Sequence, residues 1–146
     1  MTTTEENITT EFAFEIKAKI DGRLVNGPSV GGTRQAIPIT GGTVTGSKIN
    51  GTVIPGGADY QLIRDDGVIE IKAIYMVKTD DDVIINVVNS GLVGSATSTG
   101  RVVRAIPQFT APTGKYDWLN KSLFVSSIAV NPKEPGFVTI RVYKIL

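Results

Sequence analysis

The segment best suited to chemistry is Pro55-Gly56-Gly57-Ala58-Asp59-Tyr60, where a carboxylate and a phenol follow a glycine pair. Glycines let a backbone or a ligand approach closely, and Asp and Tyr can orient a ligand or exchange protons with it. Side chains alternate along a strand, so Asp59 and Tyr60 point to opposite faces and only one can line an interior. The plain reading is a β-bulge followed by one core Tyr and one surface Asp. Lys115-Tyr116-Asp117-Trp118-Leu119-Asn120 sets the only Trp beside Tyr and Asp. Trp118 can plug an open end of the fold or stack on a ligand. Arg34, after Gly31-Gly32-Thr33, can hold an anion, pair with a buried carboxylate such as Asp59, or lie exposed.

Much other chemistry is closed to the chain. Its 146 residues contain no His and no Cys, which removes disulfides, zinc sites of the usual N/S kind, Ser-His-Asp or Cys-His nucleophiles and an imidazole proton shuttle. No cofactor is expected. Gly41 to Lys48 imitates a phosphate loop, but Ser47 precedes Lys48 and no helix follows, so it reads as a glycine-rich β-turn. Asp80-Asp81-Asp82 lacks the alternating spacing of a calcium loop and reads as a solvated hairpin turn. The formal charge of +1 is no footprint for nucleic acid. Residues 1–98 carry 8 basic against 12 acidic residues, and residues 99–146 carry 7 against 2; interleaved strands would mix these on one surface. No run of apolar residues is long enough to span a bilayer as a helix, and no secretory signal is recognisable, so a cytoplasmic protein without a membrane partner is expected.

These residues must be positioned by strands. Sixteen Gly and seven Pro punctuate short apolar runs of period two, the signature of strands. Phe12, Phe14, Ile16, Ala18 and Ile20 share one face of the first. Others are expected near 33–39, 43–49, 51–55, 58–64, 68–78, 83–89, 100–106, 122–130 and 137–145, with one helical turn over 116–121. Residues 1–11 read as an arm before a single domain. Consecutive strands with short loops and no crossover helix point to an all-β fold, an antiparallel β-barrel whose closure removes exposed edges.

A two-residue Asp66-Gly67 loop would pair Leu62 with Ile71 and Tyr60 with Ala73, leaving one face nearly apolar; a one-residue slip would mix Leu62 with Glu70. Pairing Lys78 with Val83 across the next turn then puts Asn86 on the face of Tyr60 and Tyr75.

The ordered motifs Gly32-Thr33-Arg34, Ile37-Pro38-Ile39-Thr40-Gly41-Gly42, Pro55 to Tyr60, Asp66-Gly67, Asn89-Ser90-Gly91 and Tyr116-Asp117-Trp118-Leu119-Asn120 resemble those of domain of unknown function 3237. The resemblance runs from about Phe12 to the C-terminus. It implies a barrel of the calycin or allene-oxide-cyclase type and a tendency to associate, and no established activity. Lys72-Ala73-Ile74-Tyr75 and Leu92 depart from the family pattern, where an Asp- and Arg-containing stretch and an Arg are usual.

Three functions follow as expectations. The first is a small-molecule binding barrel for a hydrophobic or mildly polar metabolite, with Tyr60, Tyr75, Asn86 and Trp118 lining the site and Arg34 and Asp59 at its rim or as an ion pair. The second is a cofactor-independent isomerase, cyclase or lyase using Tyr and Asp, in which an inward Asp59 would be the first choice of base. The third is a structural or partner-binding barrel with a filled core. Two apolar faces on strands 68–78 and 83–88 further predict a homo-oligomer.

Overall fold

The computed structural model describes residues 4–146. Its strands are β1 (Thr10–Ile20), β2 (Leu24–Ser29), β3 (Gly32–Gly46), β4 (Gly51–Arg64), β5 (Ile69–Thr79), β6 (Ile84–Val93), β7 (Val103–Thr110), β8 (Phe124–Ala129) and β9 (Phe137–Ile145). The strand order β1-β9-β8-β7-β6-β5-β4-β3 closes on itself through β1–β3 pairing, giving an eight-stranded antiparallel barrel with β2 outside it on the edge of β3. Among the described residues the one helical element is a 3-10 turn, Asp117–Lys121. No helix there is long and apolar enough to cross a membrane. Of the arm expected over residues 1–11, residues 1–3 lie outside the described part, while Thr10 and Glu11 pair with Ile145 and Lys144.

Glycine and proline decide where strands bend. β3 and β4 each join two of the expected strands through irregularities between Ile39 and Thr43 and between Ile54 and Ala58. These are bulges, which curve a sheet so that it can close. Pro107 stands beyond the short β7–β8 ladder, which holds only Arg104↔Ser127 and Ala105↔Ser126; proline has no N–H with which to extend it. β2 lies outside the expected strands, and β7 runs later than expected.

Both central hairpins close through three-residue loops. Arg64 N–H donates to the Val68 carbonyl (2.9 Å) and Gly67 N–H to the Arg64 carbonyl (3.2 Å), and Gly67 has φ 86°. Thr79, Val83 and Asp82 repeat the pattern, with Asp82 at φ 66°. This is the loop in which a left-handed residue follows a tight turn. Asp66 Oδ1 secures the first by accepting from Val68 N–H at 3.1 Å.

The consequence is a correction of register. Leu62 faces Glu70 and Gln61 faces Ile71, the pairing that an apolar inner face argued against, and Lys78 pairs with Ile84 rather than Val83. Each one-residue shift exchanges the faces of a strand. The inner face is therefore not wholly apolar, and Gln35, Gln61 and Asp59 on it satisfy one another.

The two ends of the barrel are packed differently. At the end of the β3–β4 and β5–β6 turns, Phe14 meets Phe109 edge-on (5.3 Å), Phe109 meets Phe124 (5.2 Å) and Phe124 meets Trp118 (6.2 Å). Edge-to-face contact is favourable between rings, and these fill that half of the interior. Toward the other end the inward positions include Ala18, Ala73, Gly91 and Ala105, and small side chains cannot meet across the barrel.

Candidate functional site

That second half holds a cavity of about 520 Å³. Its walls are mostly aliphatic, with Ile20, Ile39, Ile71, Ile128 and Ile140 prominent, and Asp59, Gln61, Tyr75, Asn89 and Arg101 are its polar members. It reaches the surface at the end formed by the β4–β5 turn, the 94–102 loop and the 130–136 loop, where exposed Arg101 and Val130 line it. The size and the ratio of apolar wall to polar points suit a small-molecule site.

The polar groups are positioned by β4, β5 and β6. Gln35 Nε2 donates to Gln61 Oε1 (2.7 Å), and Gln61 Nε2 donates to Asp59 Oδ2 (2.8 Å). Lys72 N–H donates to Asp59 Oδ1 (3.1 Å). Burial pushes the Asp59 carboxyl above the ordinary carboxylate range, and those two hydrogen bonds pull it back only in part. Tyr75 is 4% exposed. Its hydroxyl is the one buried side-chain polar atom among the described residues without a hydrogen-bond partner. Burial, and then the charge of Asp59, push its ionisation up, so Tyr75 stays a phenol and can donate. Asn89, 1% exposed, accepts from Ser126 Oγ at 3.3 Å. The arrangement can solvate one or two polar atoms of an otherwise apolar molecule, and it places a carboxyl group where proton transfer is possible.

Two of the residues expected at the site, Tyr75 and Asp59, meet in this cavity. The other four do not. Tyr60 lies on the outer face, 54% exposed, because the three-residue loop turns Asp59 inward in its place. Asn86 is exposed, and Asn89 takes the interior position for the same reason. Trp118 closes the opposite end against Phe124, with Lys48 Nζ 5.6 Å from its ring centroid. Arg34 pairs across the sheet with Leu62, not with Asp59, and borders an outer groove with Tyr60 and Lys72. It is neither a rim residue of the cavity nor part of an ion pair with Asp59.

A depression of about 610 Å³ at the Trp118 end is larger but is an outer surface, and its Asp81 and Lys115 are already paired with each other. Tyr116 Oη donates to Asp81 Oδ1 (2.6 Å), and Lys115 Nζ lies 3.4 Å from Asp81 Oδ2. These contacts hold the Asp81 carboxyl down to about 2. Among the described residues no group of three His, Cys, Asp or Glu is placed to hold a metal ion.

Sequence reasoning missed Gln61, Asn89 and Arg101. A signal existed for the first two: Asp65-Asp66-Gly67 and Asp80-Asp81-Asp82 can each close a hairpin as a three-residue loop, the first bringing Gln61 inward and the second Asn89. Arg101 follows a Ser/Thr/Gly loop that has no period to read.

Comparison with known proteins agrees with this fold. A UPF0311 protein from Clostridium acetobutylicum is 34% identical over 149 residues, covering 92% of each chain. The crystal structure of a conserved protein of unknown function from Rhodopseudomonas palustris has a TM-score of 0.88 at 33% identity, covering 97% of this chain and 100% of that one. An enzyme from Penicillium herquei shares the fold, with a TM-score of 0.79 at 24% identity over 100% of both chains. The family described as protein of unknown function (DUF3237) matches residues 8–145. With nearly the whole chain matched in sequence and the barrel matched in structure, the protein belongs to the DUF3237 family.

Proposed function

We propose that the chain binds a small, largely apolar molecule in the open half of its barrel, with a polar atom of the ligand accepting a hydrogen bond from Tyr75. The observation that carries this reading is a mostly aliphatic cavity of about 520 Å³, lined by Tyr75, whose buried hydroxyl has no partner. An unsatisfied buried hydroxyl costs roughly 1–3 kcal/mol, which a ligand acceptor would recover. The neutral dye N-phenyl-1-naphthylamine tests the reading. Its fluorescence is expected to rise saturably with the wild type and not with Ala73→Phe, which fills the cavity from β5. Equal enhancement by both proteins would refute this site.

A second reading, a cofactor-independent isomerase, cyclase or lyase, is favoured by the inward Asp59 carboxyl, raised by burial toward the range useful to a general base. The fold shared with the Penicillium herquei enzyme is compatible with it, though similar barrels serve many ends. On this reading Asp59 takes a proton from a carbon or hydroxyl of the ligand, and Tyr75 donates a hydrogen bond to the oxygen on which charge develops. Asp59→Asn would then abolish turnover while leaving dye binding intact.

A further inference from the structure

Among the described residues Arg101 is the only cation on the cavity wall and Asp59 the only carboxylate. Arg101 stands at the mouth, carried by the 94–102 loop. That loop is seated on the β4–β5 turn: Ser95 Oγ donates to the Asp66 carbonyl (3.4 Å), and Arg101 Nη1 donates to the Gly67 carbonyl (3.4 Å). Among the described residues no carboxylate lies within ion-pair distance of Arg101. The nearby turn carboxylate, Asp66, is occupied by Arg64 at 2.5 Å and by Val68 N–H. A guanidinium that presents five donors in a rigid fork is thus left with one weak backbone acceptor, at the threshold of an aliphatic cavity.

Deeper in, Tyr75 lines the wall, and its buried hydroxyl has no hydrogen-bond partner. Ile20, Ile128, Val130 and Val138 line the same cavity and offer only apolar contact. A wholly apolar ligand would use the walls and leave Arg101 unmatched, and a small polar anion would use Arg101 and leave the walls wet.

We infer that the ligand is an amphipathic carboxylic acid, its carboxylate held by Arg101 at the mouth and its apolar body directed inward along the Ile and Val wall. The inference rests on the small-molecule reading above and narrows it to one ligand class. Arg101 matches a carboxylate with two parallel N–H donors, so the bond sets the orientation of the ligand and adds to its affinity, and the mouth position leaves the ion pair partly in water and open to screening by salt. An anion carried to the bottom of the barrel would instead meet Asp59, which opposes it.

Octanoate and 1-octanol, which differ in the head group alone, serve as probes, with competition against N-phenyl-1-naphthylamine as the readout. Octanoate is expected to compete about tenfold more strongly than 1-octanol, the effect of one charge-assisted hydrogen-bonded contact. That preference should shrink with added salt. Arg101→Gln should bring octanoate down to the level of 1-octanol and leave 1-octanol unchanged. Equal competition by the two probes with the wild type would overturn the carboxylate inference while the small-molecule reading stands. A preference that survives Arg101→Gln would overturn the assignment to Arg101. Failure of both probes to displace a dye that does bind would overturn the ligand class, and failure of the dye itself to bind would remove the underlying reading.

Discussion

Gly57 on β4 lies against Tyr75 on β5 so closely that a Cβ at Gly57 would fall 2.5 Å from Tyr75 Cβ and 2.5 Å from the Ile74 carbonyl oxygen. The glycine is required by its neighbour, not by its own dihedral angles, and it lets Tyr75 stand at the inner wall beside the β4 bulge. Gly57→Ala is therefore expected to destabilise the protein by about 1–3 kcal/mol, the usual cost of forcing extra volume into a packed site. Urea unfolding would show this as a lower midpoint at unchanged slope.

Tyr75→Phe is expected to act in the opposite direction. It removes a buried hydroxyl that has no hydrogen-bond partner in the protein, so stability should rise by about 1–3 kcal/mol. Thermal unfolding without ligand measures it. A fall in stability would mean that the hydroxyl does have a partner.

Asp59 makes stability depend on pH in a predictable sense. Its folded-state carboxyl is raised above 3.8, so from pH 3.8 up to that raised value the folded chain holds more protons than the unfolded one. Stability contributed here falls as pH rises through this window. In Asp59→Asn the new amide joins those of Gln35 and Gln61, and the three can reverse together and keep their hydrogen bonds. The variant should be more stable than the wild type at neutral pH, and that advantage should disappear below pH 3.8. Melting curves of the two proteins across this range are the check.

The outer face of β5 and β6 predicts self-association. Ile74, Met76 and Ile84 point outward there, each more than 40% exposed, and among the described residues no helix or second sheet lies over them. Contiguous apolar surface of this kind is uncommon on isolated monomers. Light scattering should report an oligomer at micromolar concentration, and Met76→Glu should return it to a monomer. A monomeric wild type would contradict this.

How far the sequence can be read depends on which property is asked of it. Strand positions follow from alternation, so Phe14, Ile16 and Ala18 are inside as the pattern of β1 requires. Phe12 belongs to the same pattern yet is exposed, because a register shift between Phe12 and Phe14 turns it out against Tyr143. Inside and outside on β4 and β6 hinge on loops that differ by one residue, and choosing between them from sequence rests on the assumption that the apolar face is the inner one. Asp59 and Gln61 defeat that assumption, since a polar pair can be buried when Gln35 and Lys72 N–H complete its hydrogen bonds. Trp118 is legible as an end plug, and which end it closes depends on the barrel.

The most direct test of the proposed site is a crystal structure of the wild type grown with N-phenyl-1-naphthylamine. The account predicts dye density inside the barrel between Ala73, Ile128 and Tyr75, with the mouth at Arg101. Dye confined to the Trp118 depression or the outer face, with aliphatic side chains closed together where the cavity should be, would contradict it.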